Sequence, residues 1–193
     1  MILLKGVQKH ADMADIVQIP VQRCRDGAVL PAYARDGDAG MDVCAAEGAV
    51  ILPGQTVLIP TGLKFAIPPG YEIQVRPRSG LSLRTALRIP NSPGTIDSGY
   101  RDEVGIIMTN TRLPAGVTRV EDVMAVADNG GGFPEVTLDG PQVEGPCAYK
   151  INKGDRVAQL VLKAVPRAEL VEVDDVGAYG EGRLGGLGST GIV

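Results

Sequence analysis

The sequence contains no tryptophan, only two phenylalanines and five tyrosines, so any core it builds is aliphatic. It has one histidine, His10, in a polar opening stretch, and chemistry that needs a histidine base or a histidine triad is thereby set aside. The three cysteines, Cys24, Cys44 and Cys147, are odd in number and far apart. They form neither a disulfide framework nor a zinc pattern and point to a reducing compartment. No apolar run approaches membrane-spanning length, and the opening Met1-Ile-Leu-Leu is too short for a signal-peptide core. A cytoplasmic protein without a membrane segment is expected. Cationic clustering is also weak: with 19 Lys and Arg against 23 Asp and Glu the net charge is −4. That excludes a general nucleic-acid binder, whose affinity comes from phosphate neutralisation.

What the sequence has in abundance is punctuation. Glycine (26) and proline (14) fall between short Val/Ile/Leu runs, the pattern of an all-β chain with many turns. A length of 193 residues suits one domain with a real core. A strand is expected from Ile16 with an edge at Pro20; residues 36–45 begin as a turn and become a strand, and further strands are expected at 50–52, 56–60, 63–68 and 71–76, separated by Pro-Gly, Pro-Thr-Gly and Pro-Pro-Gly turns. Residues 79–87 are the candidate helical turn, 104–110 a strongly apolar strand, and 151–163 a turn followed by a strand. Residues 168–173 are expected to close the core. Between about Pro114 and Pro146 the rhythm breaks; within it, 120–126 suits a brief helix or strand.

Five stretches carry chemistry. Residues 91–104 open with turn formers, place Asp97 beside apolar neighbours, turn again at Ser98-Gly99 and reach Tyr100. A tight hairpin there would offer its backbone to the edge of a flat ligand. An ordinary meander with Asp97 capping its own turn fits the same residues. Residues 75–88 gather Arg76, Arg78, Arg84 and Arg88 around Ser79-Gly80, a donor set suited to phosphate oxygens or to surface ion pairs. Gln159, in 154–160, would aim an amide at the same anion or serve the strand. Asp38 and Asp42 sit four apart near a turn; one such carboxylate suffices for a phosphate-bound Mg²⁺, and turn capping is the alternative. The glycine-rich end, with Gly at 177, 180, 182, 185, 186, 188 and 191, suits either a disordered terminus or a lid that orders on a ligand.

Taken in order, Asp-Ala-Gly-Met-Asp (38–42), Pro-Arg-Ser-Gly (77–80), Gly-Thr-Ile-Asp-Ser-Gly-Tyr-Arg (94–101), Gly-Asp-Arg-Val-Ala-Gln-Leu (154–160) and Gly-Ser-Thr-Gly (188–191) resemble the five ordered motifs of the trimeric dUTPase family. The resemblance implies an all-β jelly-roll or β-clip barrel over residues 1–176, with about 114–146 an inserted arm and 177–193 a flexible lid. It implies Mg²⁺-dependent hydrolysis of dUTP to dUMP and pyrophosphate, in a homotrimer whose subunits share each active site. Asp97 then matches the carboxylate that activates water for attack on the α-phosphorus. Asn91, Thr95, Ile96 and Gly105 match the uracil-reading edge, and Tyr100 the ring under the deoxyribose. Arg78, Ser79, Gly80 and Gln159 match phosphate contacts, and Asp42 the acidic residue that holds Mg²⁺ through water. Arg183, Leu187, Gly188, Ser189 and Thr190 match the lid.

Three departures stand out. Leu187 replaces a phenylalanine that stacks on uracil, Asp102 replaces a glycine, and the stretch from Pro114 to Pro146 is longer than usual. A dCTP deaminase on the same scaffold would need a Glu at about Ile107, which is aliphatic here. A regulatory protein that engages a protein partner through residues 117–146 is the other alternative.

Overall fold

Short runs of branched aliphatic residues between Pro/Gly turns fold as short strands, because β-branched side chains fit a half-buried pleated surface. The computed structural model describes residues 16–117, 123, 132–141 and 143–180. Its strands are β1 Val21–Arg23, β2 Met41–Cys44, β3 Ala49–Ile51, β4 Thr56–Pro60, β5 Leu63–Phe65, β6 Tyr71–Arg76, β7 Leu87–Arg88, β8 Gly94–Ile96, β9 Gly105–Asn110, β10 Glu135–Thr137, β11 Ala148–Ile151 and β12 Arg156–Ala164. The helix α1, Ser79–Arg84, falls within the expected helical turn. Among the described residues the strands form four small sheets, ordered β1-β5, β10-β11-β3, β2-β12-β6-β8 and β4-β9-β7. The all-β expectation is met.

The core is aliphatic, as the scarcity of aromatics requires. Ile51, Ile59, Leu63, Ile73, Leu87, Ile106, Met108, Ile151 and Leu160 are fully buried, and each contributes roughly 1.5–3 kcal/mol of transfer free energy. Alternation along β9 sends Ile106, Met108 and Asn110 inward and Ile107 outward. Asn110 and Thr61 are the buried polar exceptions among the described residues, and Asn110 is satisfied. Its amide donates to Ile51 O at 3.2 Å and Cys147 O at 2.8 Å, and its Oδ1 accepts from Arg112 N at 3.2 Å.

The Pro60-Thr61-Gly62 turn needs its glycine. Gly62 has φ +70°, and an added Cβ would lie 2.7 Å from that of Ala28. Thr61 is buried, its hydroxyl donating to Val104 O at 2.6 Å, so the turn is bonded to the start of β9.

Three expectations are corrected. The first strand begins only after Pro20, whose carbonyl accepts from Ala66 N at 2.9 Å while Pro itself donates nothing. Residues 91–104 do not fold back on themselves as a two-stranded hairpin. β8 pairs with β6 and β9 with β4 and β7, so the segment crosses from one sheet to another. Residues 168–173 form no strand; Leu170 is 93% and Val171 76% exposed, so the core closes at β12 instead. Within residues 114–146, β10 pairs in parallel with β11, and Val136 joins the core cluster. That portion packs on the body of the fold. Of 120–126 only Val123, which is buried, is among the described residues.

Candidate active site

Two groups of candidate residues assemble, each on its own part of the fold. The first is a cavity of about 280 Å³ where β8 and β9 pass each other. Asn91, Thr95, Ile96, Tyr100 and Gly105 all line it, with Leu58, Val75 and Ile107 as apolar walls. β8 has its place because Gly94 lies opposite Val75 on β6, and a Cβ at Gly94 would sit 3.3 Å from that of Val75. Gly105 is equally constrained: a Cβ there would lie 2.5 Å from Leu58 Cδ1. Small residues at these two points let main chain, rather than side chains, form the cavity's edge.

Asp97 follows β8 and starts a turn in which its carbonyl accepts from Tyr100 N at 3.0 Å. Its side chain is exposed and, among the described residues, caps nothing, so the turn-capping alternative is not what the geometry contains. Tyr100 is 42% exposed, and its hydroxyl donates to Glu103 O at 2.8 Å. Asp102 has no positive φ, so a glycine's conformational freedom is not required there. Its carboxylate accepts from Glu103 N at 2.8 Å and pairs with Lys64 at 3.1 Å, and the backbone bond first, then Lys64, holds it below its ordinary range.

The second group lies on the β2-β12-β6 sheet and at the start of α1. Gln159 stands opposite Asp42 on the β2–β12 ladder and opposite Arg76 on β6. Asp42 Oδ1 accepts from Arg78 Nε at 2.9 Å and from Gln159 Nε2 at 3.4 Å; its Oδ2 accepts from Arg156 Nη1 at 3.1 Å. Arg78 Nη1 also donates to Arg156 O at 3.2 Å. The Asp42 side chain is only 14% exposed, so two guanidinium groups compensate a largely desolvated carboxylate. Arg78 is the N-cap of α1 and gives no side-chain cap, while Ser79 and Gly80 form the first turn, with open space beside Gly80. A cavity of about 150 Å³ adjoins, lined by Arg78, Arg84, Asp155 and Arg156 among others.

Among the described residues the two groups line separate cavities. A larger cavity, about 700 Å³, lies between α1, β7 and residues 136–141 and 143–145; of the residues singled out from the sequence for chemistry it takes only Arg84, which also lines the 150 Å³ cavity, and Arg88. Arg156 was not singled out from the sequence; its spacing of three from Gln159 on a strand gave no hint that both reach Asp42. Arg183, Leu187, Gly188, Ser189 and Thr190 lie outside the described residues. Among the described residues no group of three or more His, Cys, Asp or Glu could hold a metal ion, and no helix is long and apolar enough to cross a membrane.

A family model described as dUTPase matches residues 26–114. A deoxyuridine 5'-triphosphate nucleotidohydrolase of Alkaliphilus metalliredigens is 37% identical over 174 residues, 90% of this chain and 97% of its own. The chain belongs to the dUTPase family. The relative of the same name from Anaeromyxobacter sp. is 41% identical over 162 residues, covering 84% of this chain and 87% of its own. Among solved structures, the dUTPase of Staphylococcus bacteriophage 80alpha with dUpNHpp superposes with a TM-score of 0.74 at 28% identity, covering 91% of this chain and 99% of that one. A variant of the dUTPase of phage phi11, described with a structural Mg(II) ion, superposes with a TM-score of 0.67 at 28% identity over 83% and 99%. The all-β fold is thus the dUTPase fold.

Proposed function

We propose that this family member hydrolyses dUTP to dUMP and pyrophosphate, with the base and sugar held in the cavity between β8 and β9 and the triphosphate held by the Asp42–Arg78–Gln159 group of another copy. The observation that carries this is the division itself: one chain has a main-chain-edged cavity and, apart from it, an arginine cluster around Asp42. A homotrimer, in which heterologous contacts close a ring, brings the two together in every interface.

Backbone groups of Thr95, Ile96 and Gly105, with the amide of Asn91, suit the edge of uracil. Cytosine would present a donor where an acceptor is needed, and the unpaired polar groups would reject it. Asp97 is the base. It takes a proton from water as the water oxygen bonds to the α-phosphorus, and the bond from that phosphorus to the bridging oxygen breaks, its electron pair leaving with pyrophosphate. Arg78, Gln159 and the first-turn amides of α1 at Ser79 and Gly80 meet the charge on the phosphate oxygens.

Asp42 would hold a triphosphate-borne Mg²⁺ through water. One carboxylate suffices for such a cation, which keeps most of its own water, but both Asp42 oxygens accept from Arg78, Arg156 and Gln159, so Asp42 would turn to the cation only as phosphate oxygens take over those guanidinium groups. The cation supplies charge neutralisation along the phosphates. Arg183, Leu187, Gly188, Ser189 and Thr190 would close over the γ-phosphate as part of a lid at 177–193. The reading places the enzyme in the reducing cytoplasm.

Deamination of dCTP fits less well, since Ile107 puts an aliphatic wall on the base cavity where a Glu would be needed. The test is pyrophosphate release from dUTP, dCTP, dTTP and UTP, with and without Mg²⁺. Magnesium-dependent release from dUTP alone is expected, and ammonia from dCTP would overturn the reading.

A further inference from the structure

A chain of contacts leads to the base cavity from a residue that belongs to none of the motifs. Arg25 Nε donates to both carboxylate oxygens of Glu103, at 2.7 and 2.9 Å, and its Nη1 donates to Glu47 at 2.6 Å. Glu103 Oε1 also accepts from Gly62 N at 2.8 Å. The turn that presents Gly62 packs on the same segment, since Cys24 N donates to Gly62 O at 2.8 Å and a Cβ at Gly62 would lie 3.1 Å from that of Arg25. On the far side of Glu103, Val104 O accepts from both the amide and the hydroxyl of Thr61, and Val104 N donates to Leu63 O at 2.9 Å. Residues 103 and 104 are therefore fixed from both sides, and Glu103 O accepts the Tyr100 hydroxyl at 2.8 Å. Tyr100 is otherwise substantially exposed, so that hydroxyl bond is the contact that restrains where its ring stands. Arg25 itself does not line the cavity.

We propose that the Arg25–Glu103 ion pair is a positioning pair that sets sugar selectivity, fixing through the Glu103 carbonyl the ring of Tyr100 against which a 2′-hydroxyl would clash. The proposal rests on reading the cavity as the deoxyuridine site. Its physical content is a lever. Steric rejection of one oxygen atom depends on displacements of a few tenths of an ångström, and the Arg25 Nε–H shared between both Glu103 oxygens, with the Gly62 amide on Oε1, fixes the orientation of that carboxylate as well as its distance. Loosening it lets the ring yield to a ribonucleotide while leaving Asp97 and the phosphate group untouched.

The test compares kcat and KM for dUTP and UTP in wild type, R25Q, R25K, Y100F and the double variant R25Q/Y100F, with thermal unfolding alongside. In R25Q, kcat on dUTP is expected to stay within about twofold, while the dUTP-over-UTP ratio of kcat/KM falls about tenfold, the worth of one hydrogen-bond tether. R25K restores part of it. Y100F lowers the ratio as well, and the double variant falls no further than the larger single one, because both cut the same chain of contacts. A folded R25Q with the wild-type ratio, or a fully additive double variant, overturns the proposal. Should R25Q not fold, the isosteric E103Q carries the same prediction and the same refutation. If wild type releases no pyrophosphate from dUTP, the functional reading fails by itself. The tether is then tested by calorimetric binding of dUpNHpp against its ribose counterpart in the same variants, with the same tenfold change expected and an unchanged ratio refuting it.

Discussion

The two halves of the candidate site are built on opposite principles. Around the cavity at β8 and β9 the recognising surface is main chain, pinned by ladders to β6 and β4 and freed of side chains at Gly94 and Gly105. Around Asp42 it is side chain: Arg78, Arg156 and Gln159 converge on a single carboxylate at 2.9–3.4 Å. Reading the edge of a base demands donors and acceptors that do not move, since specificity lies in leaving the wrong partner unpaired. Gripping a triphosphate demands charges that can change partner. Asp42 keeps two guanidinium groups together; on the proposed function phosphate oxygens would take over guanidinium contacts while Asp42 turns to the hydrated cation, so that neither buried charge is left unpaired.

The sharpest way to break this contrast is to remove Asp97, which belongs chemically to neither half. D97N should lower kcat by roughly 10²–10⁴-fold while dUpNHpp binding stays near wild type, measured by pyrophosphate release and calorimetry. Unchanged turnover would remove Asp97 from the chemistry. R78A strikes the gripping half alone and should cost about 10²-fold in kcat/KM for dUTP, without admitting dCTP. Complementation then asks whether the halves belong to different copies. D97N and R78A, each nearly inactive, should regain about a quarter of wild-type activity when coexpressed, since random assortment leaves about that fraction of sites with two intact halves. No recovery would mean that each chain completes its own site.

The smallest effect concerns pH. Arg25 first, with the Gly62 amide assisting, holds the Glu103 carboxyl below its ordinary value of 4.5. Its folded-state pKa is depressed, so its contribution to stability is full above about pH 4.5 and disappears as pH falls through the lowered value. Wild type should therefore lose more Tm than E103Q between pH 6 and pH 3.5. Equal losses would show that the pair carries no linked stability.

Much of this was legible in the chain. The β6 boundaries, the α1 turn and the aliphatic core follow from period and punctuation, because Ile73 and Val75 alternate with Glu72, Gln74 and Arg76 between a Pro-Pro-Gly turn and a proline. The candidate residues within each half could be matched by motif, and they do assemble. Pairing partners were not legible: nothing in 91–104 announces that its two ends enter different sheets, since local turn chemistry is the same either way. Nor is the meeting of Arg25 with Glu103, 78 positions apart, written in either neighbourhood. Within the stretch at 114–146, β10 was not legible because the Val136 strand is short and pairs in parallel, which leaves no adjacent turn to signal it. Deleting 117–146 would remove β10 from the body, and so would test folding before it tested any partner.

Asn110 gives the long stretch a different significance. With its amide on Ile51 and Cys147, this one side chain rivets the place where the stretch departs to the place where it returns. Whatever length is spliced in between begins and ends at the same buried fixture, at the opposite end of β9 from Gly105. The length of β9 thus separates that fixture from the cavity that Gly105 lines.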